Sequence, residues 1–144
     1  MKLRPQYHLR DSDQGLLAWD VVSLIERTSG LTPTEIALED IAEIDEPHWF
    51  NLEGDTPTSR KIAEHARLIE EADLTFPIIL DPEGRVMDGM HRVCKALNTG
   101  RKRIWAYRLT TLPEPDFVGV APQDLPYENN LAEQDAAGNP LPVE

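Results

Sequence analysis

Residues 76–97, FPIILDPEGRVMDGMHRVCKAL, decide the fold. Phe76-Pro77-Ile78-Ile79-Leu80 is a short, unbroken apolar run, which predicts a strand covered on both faces. Asp81-Pro82-Glu83-Gly84 follows, and each of its residues favours a tight turn. Arg85-Val86-Met87 predicts a returning strand. Asp88-Gly89 then turns sharply into a helix over Met90–Asn98, closed by Gly100. Met90, Val93, Cys94 and Leu97 recur at helical spacing and mark its core face.

Working outward, Ser59–Ala72 predicts a second helix, capped by Thr58 or Ser59, with Ile62, Ala66 and Ile69 inside. Ile104–Leu109 predicts the final strand, with Ile104, Ala106 and Arg108 on one face and Trp105, Tyr107 and Leu109 on the other. Glu35–Leu38 alternates as a short strand does, and Glu39-Asp40-Ile41 turns out of it. Residues 45–57 read as a long loop, and loops of that length in a small domain are commonly functional or mobile. Residues 1–12 predict a loose start. From Asp13, as N-cap, to Gly30, the spacing of Leu17, Val21, Leu24 and Ile25 predicts an amphipathic helix. Three segments result: an N-terminal helical extension (1–33), a body (34–109), and a tail (110–144) that is either a docked strap or disordered.

The 144 residues suffice for one packed core without cross-links. The single cysteine, Cys94, excludes an intramolecular disulfide and suits a reducing compartment. No apolar run is long enough to span a bilayer and no signal pattern opens the chain, so the expectation is a cytoplasmic protein without membrane contact. The net charge of −12 argues against direct nucleic-acid binding. Seven of the 26 acidic residues lie from Thr110 onward, where there is no Lys or Arg. The body is therefore only mildly acidic and can hold a local basic pocket.

The chemistry concentrates at Asp88-Gly89-Met90-His91-Arg92. The first N–H groups of a helix lack partners within it, and the helix dipole adds positive charge at that end. A glycine permits a tight turn and a close approach, so the segment predicts a phosphate or carboxylate site. Arg92 offers a planar fork for two oxygens, and His91 a proton or hydrogen bond near neutral pH. Asp88 can cap the helix, orient Arg92 or hold a metal ion. The plainer alternative is a good turn with a solvated arginine.

The order Ile36-Ala37-Leu38-Glu39-Asp40-Ile41, the helix from Ser59, Pro77-Ile78-Ile79-Leu80, Gly84-Arg85-Val86-Met87-Asp88-Gly89-Met90-His91-Arg92 and Ala96-Leu97 resembles the ParB/sulfiredoxin superfamily. The resemblance spans residues 34–109. It implies an α/β (α+β) fold, a single domain with a small mixed sheet packed by helices. It also implies that Asp88, Gly89, Met90, His91 and Arg92 hold the phosphates of a nucleotide, ATP or ADP, with or without magnesium. Sulfiredoxins carry their reactive cysteine immediately before the His-Arg pair, where this chain has Met90, and Cys94 lies a turn later on the apolar side. ParB partition proteins require a following helix-turn-helix, which the acidic, proline-rich tail does not resemble. ADP-dependent free-serine kinases match the loop best. By that resemblance Glu46 or Asp45 would take a proton from an acceptor hydroxyl, with His91 beside the phosphate and Arg60 or Lys61 as a second cationic contact.

The expected function is therefore nucleotide-phosphate binding, with phosphoryl transfer to a small-molecule acceptor or nucleotide hydrolysis. The alternative is a non-catalytic module of the same fold, with a protein partner or a second copy as its target. His48-Trp49-Phe50 either closes over a ligand or packs on the N-terminal helix through Trp19. The latter is the favoured expectation, and His65 is expected at the surface. The Arg101-Lys102-Arg103 run reads as a solvated turn, and no Cys/His set has zinc spacing.

Overall fold

A computed structural model describes residues 6–52 and 54–126. The fold is mixed α/β. The described parts of Met1–Arg27 and Pro113–Glu144 form one compact unit, and Thr28–Leu112 forms the other.

The larger unit is built on a sheet of β3 (Thr34–Ala37), β4 (Ile78–Leu80), β5 (Val86–Asp88) and β6 (Arg103–Arg108), in the order β3-β6-β4-β5. β4 is central and buried at all three residues, as its unbroken Ile-Ile-Leu run requires. It pairs antiparallel with β5 and parallel with β6. A parallel pair needs a long crossover, and the segment through α3 (Met90–Asn98) supplies it.

The β4–β5 turn closes on the Asp81 carboxylate, which is 4% exposed and accepts from the Glu83 and Arg85 N–H groups at 2.8 and 2.9 Å. Glu43, 3% exposed, accepts from the Val86 N–H at 2.7 Å and so satisfies a donor of the outer strand β5. The core is Leu38, Ile41, Ile78, Leu80, Val86, Met90, Val93, Ala96, Ile104 and Ala106.

Helix α2 (Ser59–Glu71) starts at Thr58, whose hydroxyl accepts from the Lys61 N–H. It packs on α3, and Lys95 ties the two by donating to the Glu70 and Ala72 carbonyls at 2.8 and 2.7 Å. Its inward face differs from the expectation. Ile62 is 53% exposed and Ala66 is exposed, whereas Lys61, His65, Leu68 and Ile69 are half-buried. No residue of α2 is fully buried, so the local apolar pattern holds the helix rotation weakly and tertiary pairing of His65 decides it. In α3, Leu97 is 49% exposed and Ala96 takes its place in the core. The Ile104–Leu109 alternation holds for Ile104 and Ala106, but Arg108 swings out to donate to the Pro82 carbonyl. Residues 45–57, read as loop, begin at the end of a 3-10 turn over Ala42–Asp45 and contain a second at His48–Phe50.

The smaller unit overturns the N-terminal expectation. Tyr7–Arg10 is strand β1 and Leu17–Asp20 is strand β2, paired antiparallel. Asp20, not Asp13, caps a helix of only six residues, α1 (Val21–Glu26), accepting from the Val22 N–H. The chain beyond Leu112 is a strap rather than a loose tail as far as Pro126. Phe117–Val118 forms β7 on the open side of β2, so β6 is not the last strand. The Trp19 indole donates to the Pro113 carbonyl at 2.8 Å, and the Asp20 N–H donates to the Asp116 carboxylate at 2.8 Å. A strand paired on both sides outcompetes a short local helix, because its ladder satisfies the backbone of three segments at once. The remainder of the 110–144 tail lies outside the described residues.

Candidate functional site

The Asp88–Arg92 segment forms as the sequence predicts, and the structure shows what holds it. Gly89 is the N-cap residue of α3, in the left-handed region at φ 107°. A Cβ there would stand 2.6 Å from the Ile78 Cγ2, so the glycine is required by both backbone and packing. No side chain caps this helix end. Asp88 turns instead to Arg92, with its Oδ2 2.7 Å from Nη2. Arg92 also donates through Nη1 to the Phe76 and Pro77 carbonyls at 3.0 and 2.7 Å. Of the roles open to Asp88, orienting Arg92 is the one formed. Arg92 thereby fixes the loop against the entry to β4, and its side chain is 16% exposed. Met90 is 5% exposed and packs in the core, so its contribution to an anion would come from its backbone N–H.

His91 lies in a cluster that the sequence does not disclose. Its Nε2 is 2.8 Å from the Nδ1 of His65 on α2. The Trp49 indole stacks on both rings, with centroid distances of 4.2 Å to His65 and 4.5 Å to His91 and interplanar angles of 17° and 19°. The two imidazole centroids are 5.1 Å apart, so both rings lie side by side on one face of the indole. Phe50 meets His65 edge-on at 5.7 Å. Burial, partly offset by Glu64, pulls the His65 pKa below its ordinary value.

Trp49 thus stacks on His65 and His91 within its own unit. Trp19 sits within its own unit against His8 and Arg10. His65 was expected at the surface. The available signal was its spacing with Lys61, Leu68 and Ile69, together with a second histidine in the candidate loop.

The other expected residues fall outside this cluster. The Glu46 carboxylate is gripped by Arg85 at 2.6 and 3.0 Å. Hydrogen bonding from Arg85 holds its pKa below the ordinary carboxylate value, which weakens it as a base. Asp45 and Arg60 are exposed. Among the described residues no group of three His, Cys, Asp or Glu side chains is arranged for a metal ion. Burial raises the pKa of the half-buried Cys94 thiol, as for an unreactive core cysteine.

An open cavity of about 740 Å³ lies towards the other end of α3, lined by residues that include Asp73, Lys95, Arg101 and Trp105. None of the loop residues lines it, and Lys95 is already bound to two carbonyls. Size alone does not make it the better site. Among the described residues no helix is long and apolar enough to cross a membrane. No family model, curated protein or solved structure matches the chain.

Proposed function

We propose that the Thr28–Leu112 unit is a nucleotide-phosphate-binding module of ParB/sulfiredoxin-like type, with its anion site at the start of α3. The observation that carries this reading is a helix end without a side-chain cap beside the His65–His91 pair. The N–H groups of Met90, His91 and Arg92 supply donors there, and the helix dipole favours negative charge. Arg92 acts chiefly by holding the loop through Asp88 and the Phe76 and Pro77 carbonyls. The indole of Trp49 gives the site an aromatic wall.

Binding is better supported than turnover, because Glu46 is held by Arg85. A phosphotransferase or hydrolase acting on ATP or ADP remains the second reading. Its motivation is that the segment carrying Asp45 and Glu46 leads directly into the turn that places Trp49 over His91. It requires Glu46 to leave Arg85 when substrate binds.

A thermal-shift series with ATP, ADP, inorganic phosphate and citrate at matched ionic strength tests the binding. Stabilisation by nucleotide beyond citrate is expected, reduced about tenfold in apparent affinity by His91→Ala, as loss of one charged hydrogen bond would do. Equal shifts for all anions, or no shift, would overturn the proposal. Phosphorus NMR of the same mixtures with magnesium separates the readings. Product formation lost in Glu46→Gln supports the enzyme, and an unchanged spectrum supports the module.

A further inference from the structure

The 2.8 Å contact between His65 Nδ1 and His91 Nε2 limits how many protons the two rings can hold. One nitrogen must carry the hydrogen and the other must offer a lone pair. Two neutral rings meet that condition. One neutral ring and one cation also meet it. Two cations do not, since both facing nitrogens would then carry hydrogen. The contact joins three elements: His65 belongs to α2, His91 to the first turn of α3, and Trp49, stacked on both, to the His48–Phe50 turn.

We propose that His65 and His91 form a one-proton switch, which keeps its clasp on Trp49 through the first protonation and opens it at the second, releasing the His48–Phe50 turn from the start of α3. The switch needs no ligand to operate, and it stands independently of the phosphate reading. The first proton is shared across the bridge and lies beneath the π face of the indole, which attracts a cation. The second removes the hydrogen bond and sets two positive rings 5.1 Å apart between their centroids. The turn then loses this stack and keeps the packing of Trp49 against the core.

On α2, Glu64 draws His65 toward protonation, and Lys61 lies one turn earlier. On α3, the charge of Arg92 is met by Asp88 at 2.7 Å, and Cys94 is a thiol kept protonated by burial. On the turn side, Glu46 is held by Arg85, and the His48 ring lies 6.1 Å from that of Trp49. His48 is the neighbour able to blur the titration, so the measurement is made in a His48→Gln background.

Nitrogen-15 NMR of the imidazole and indole groups, on the full chain without ligand, from about pH 8 to about pH 5, tests the switch. The expected result is a coupled pair titrating in two steps more than about one pH unit apart. The Trp49 indole signal, assigned with Trp49→Phe, moves with the second step. In His65→Gln, His91 titrates in a single step and the second-step response of Trp49 is lost. Two independent single-step curves in the His48→Gln protein, or a Trp49 signal that stays fixed through both steps, would overturn the switch. Should His65→Gln not fold, the curves of the His48→Gln protein alone decide.

Discussion

Each unit of this protein sets a tryptophan beside histidine, and the two clusters do opposite things. In the smaller unit Trp19 is 1% exposed, and its indole N–H is spent on the Pro113 carbonyl. His8 lies 5.7 Å from it, and the His8 Nε2 accepts a hydrogen bond from Arg10 at 2.8 Å, which requires that nitrogen to be bare. The Arg10 guanidinium also covers the indole at 5.5 Å. That cluster is anchored by backbone and by a permanent cation. In the larger unit Trp49 is half-buried, and its stacking partners are two imidazoles bonded to each other. That cluster depends on a proton count. The same pair of residue types is a fixed structural element where an arginine bonds the histidine and covers the indole, and a proton-dependent one where two histidines bond each other.

Substitutions separate the two clusters. Trp19→Ala removes a fully buried aromatic and its hydrogen bond, and should cost about 3–5 kcal/mol in denaturant unfolding. Trp49→Ala should cost only about 1–2 kcal/mol, since a half-exposed stack is lost. Equal costs would mean that the two indoles bear similar structural weight. Arg92→Ala is expected to cost about 2–3 kcal/mol, because it leaves Asp88 and two carbonyls without their donor. If unfolding midpoints do not move, Arg92 is free for ligand instead of committed to the loop.

Two further outcomes concern pH. The folded-state pKa of His65 is lowered, so the unfolded chain binds more protons in the window below the ordinary value of 6.5. Stability is therefore fully present above that value and declines as pH falls through the window. His65→Gln should flatten this decline, and His8→Gln should not abolish it; unfolding curves at a series of pH values read both. The smallest effect expected is from Glu46→Gln. Glu46 is exposed and its pKa is lowered by Arg85, so its contribution exists above the ordinary value of 4.5 and vanishes as pH falls through the folded pKa. A stability difference between wild type and Glu46→Gln that persisted at lower pH would rule out that ion pair as its source.

Much of the larger unit was legible in advance. The Asp81–Gly84 turn, the apolar β4 and the Gly89 start of α3 all depend on contacts within a few residues of themselves. Asp81 serves Glu83 and Arg85, and Gly89 is demanded by its own φ. The candidate loop was found for that reason, although the commitment of Arg92 to Asp88 and to carbonyls sixteen and fifteen residues back was not. The smaller unit is not legible locally, for the converse reason. Leu17–Asp20 carries a spacing that suits either a helix or a strand, and its partners lie at Tyr7–Arg10 and at Phe117–Val118.

By itself the sequence determined the mixed α/β class, the hairpin and helix from Ile78 to Asn98, and the place where a helix begins on a glycine. These follow from turn chemistry, periodicity and backbone sterics, which act over a few residues. Only the tertiary structure decided that residues 17–20 extend, that α2 turns Ile62 outward and His65 inward, and that His65 meets His91 under Trp49. Those outcomes rest on pairings between segments far apart in the chain, whose hydrogen bonds and stacking exceed weak local preferences.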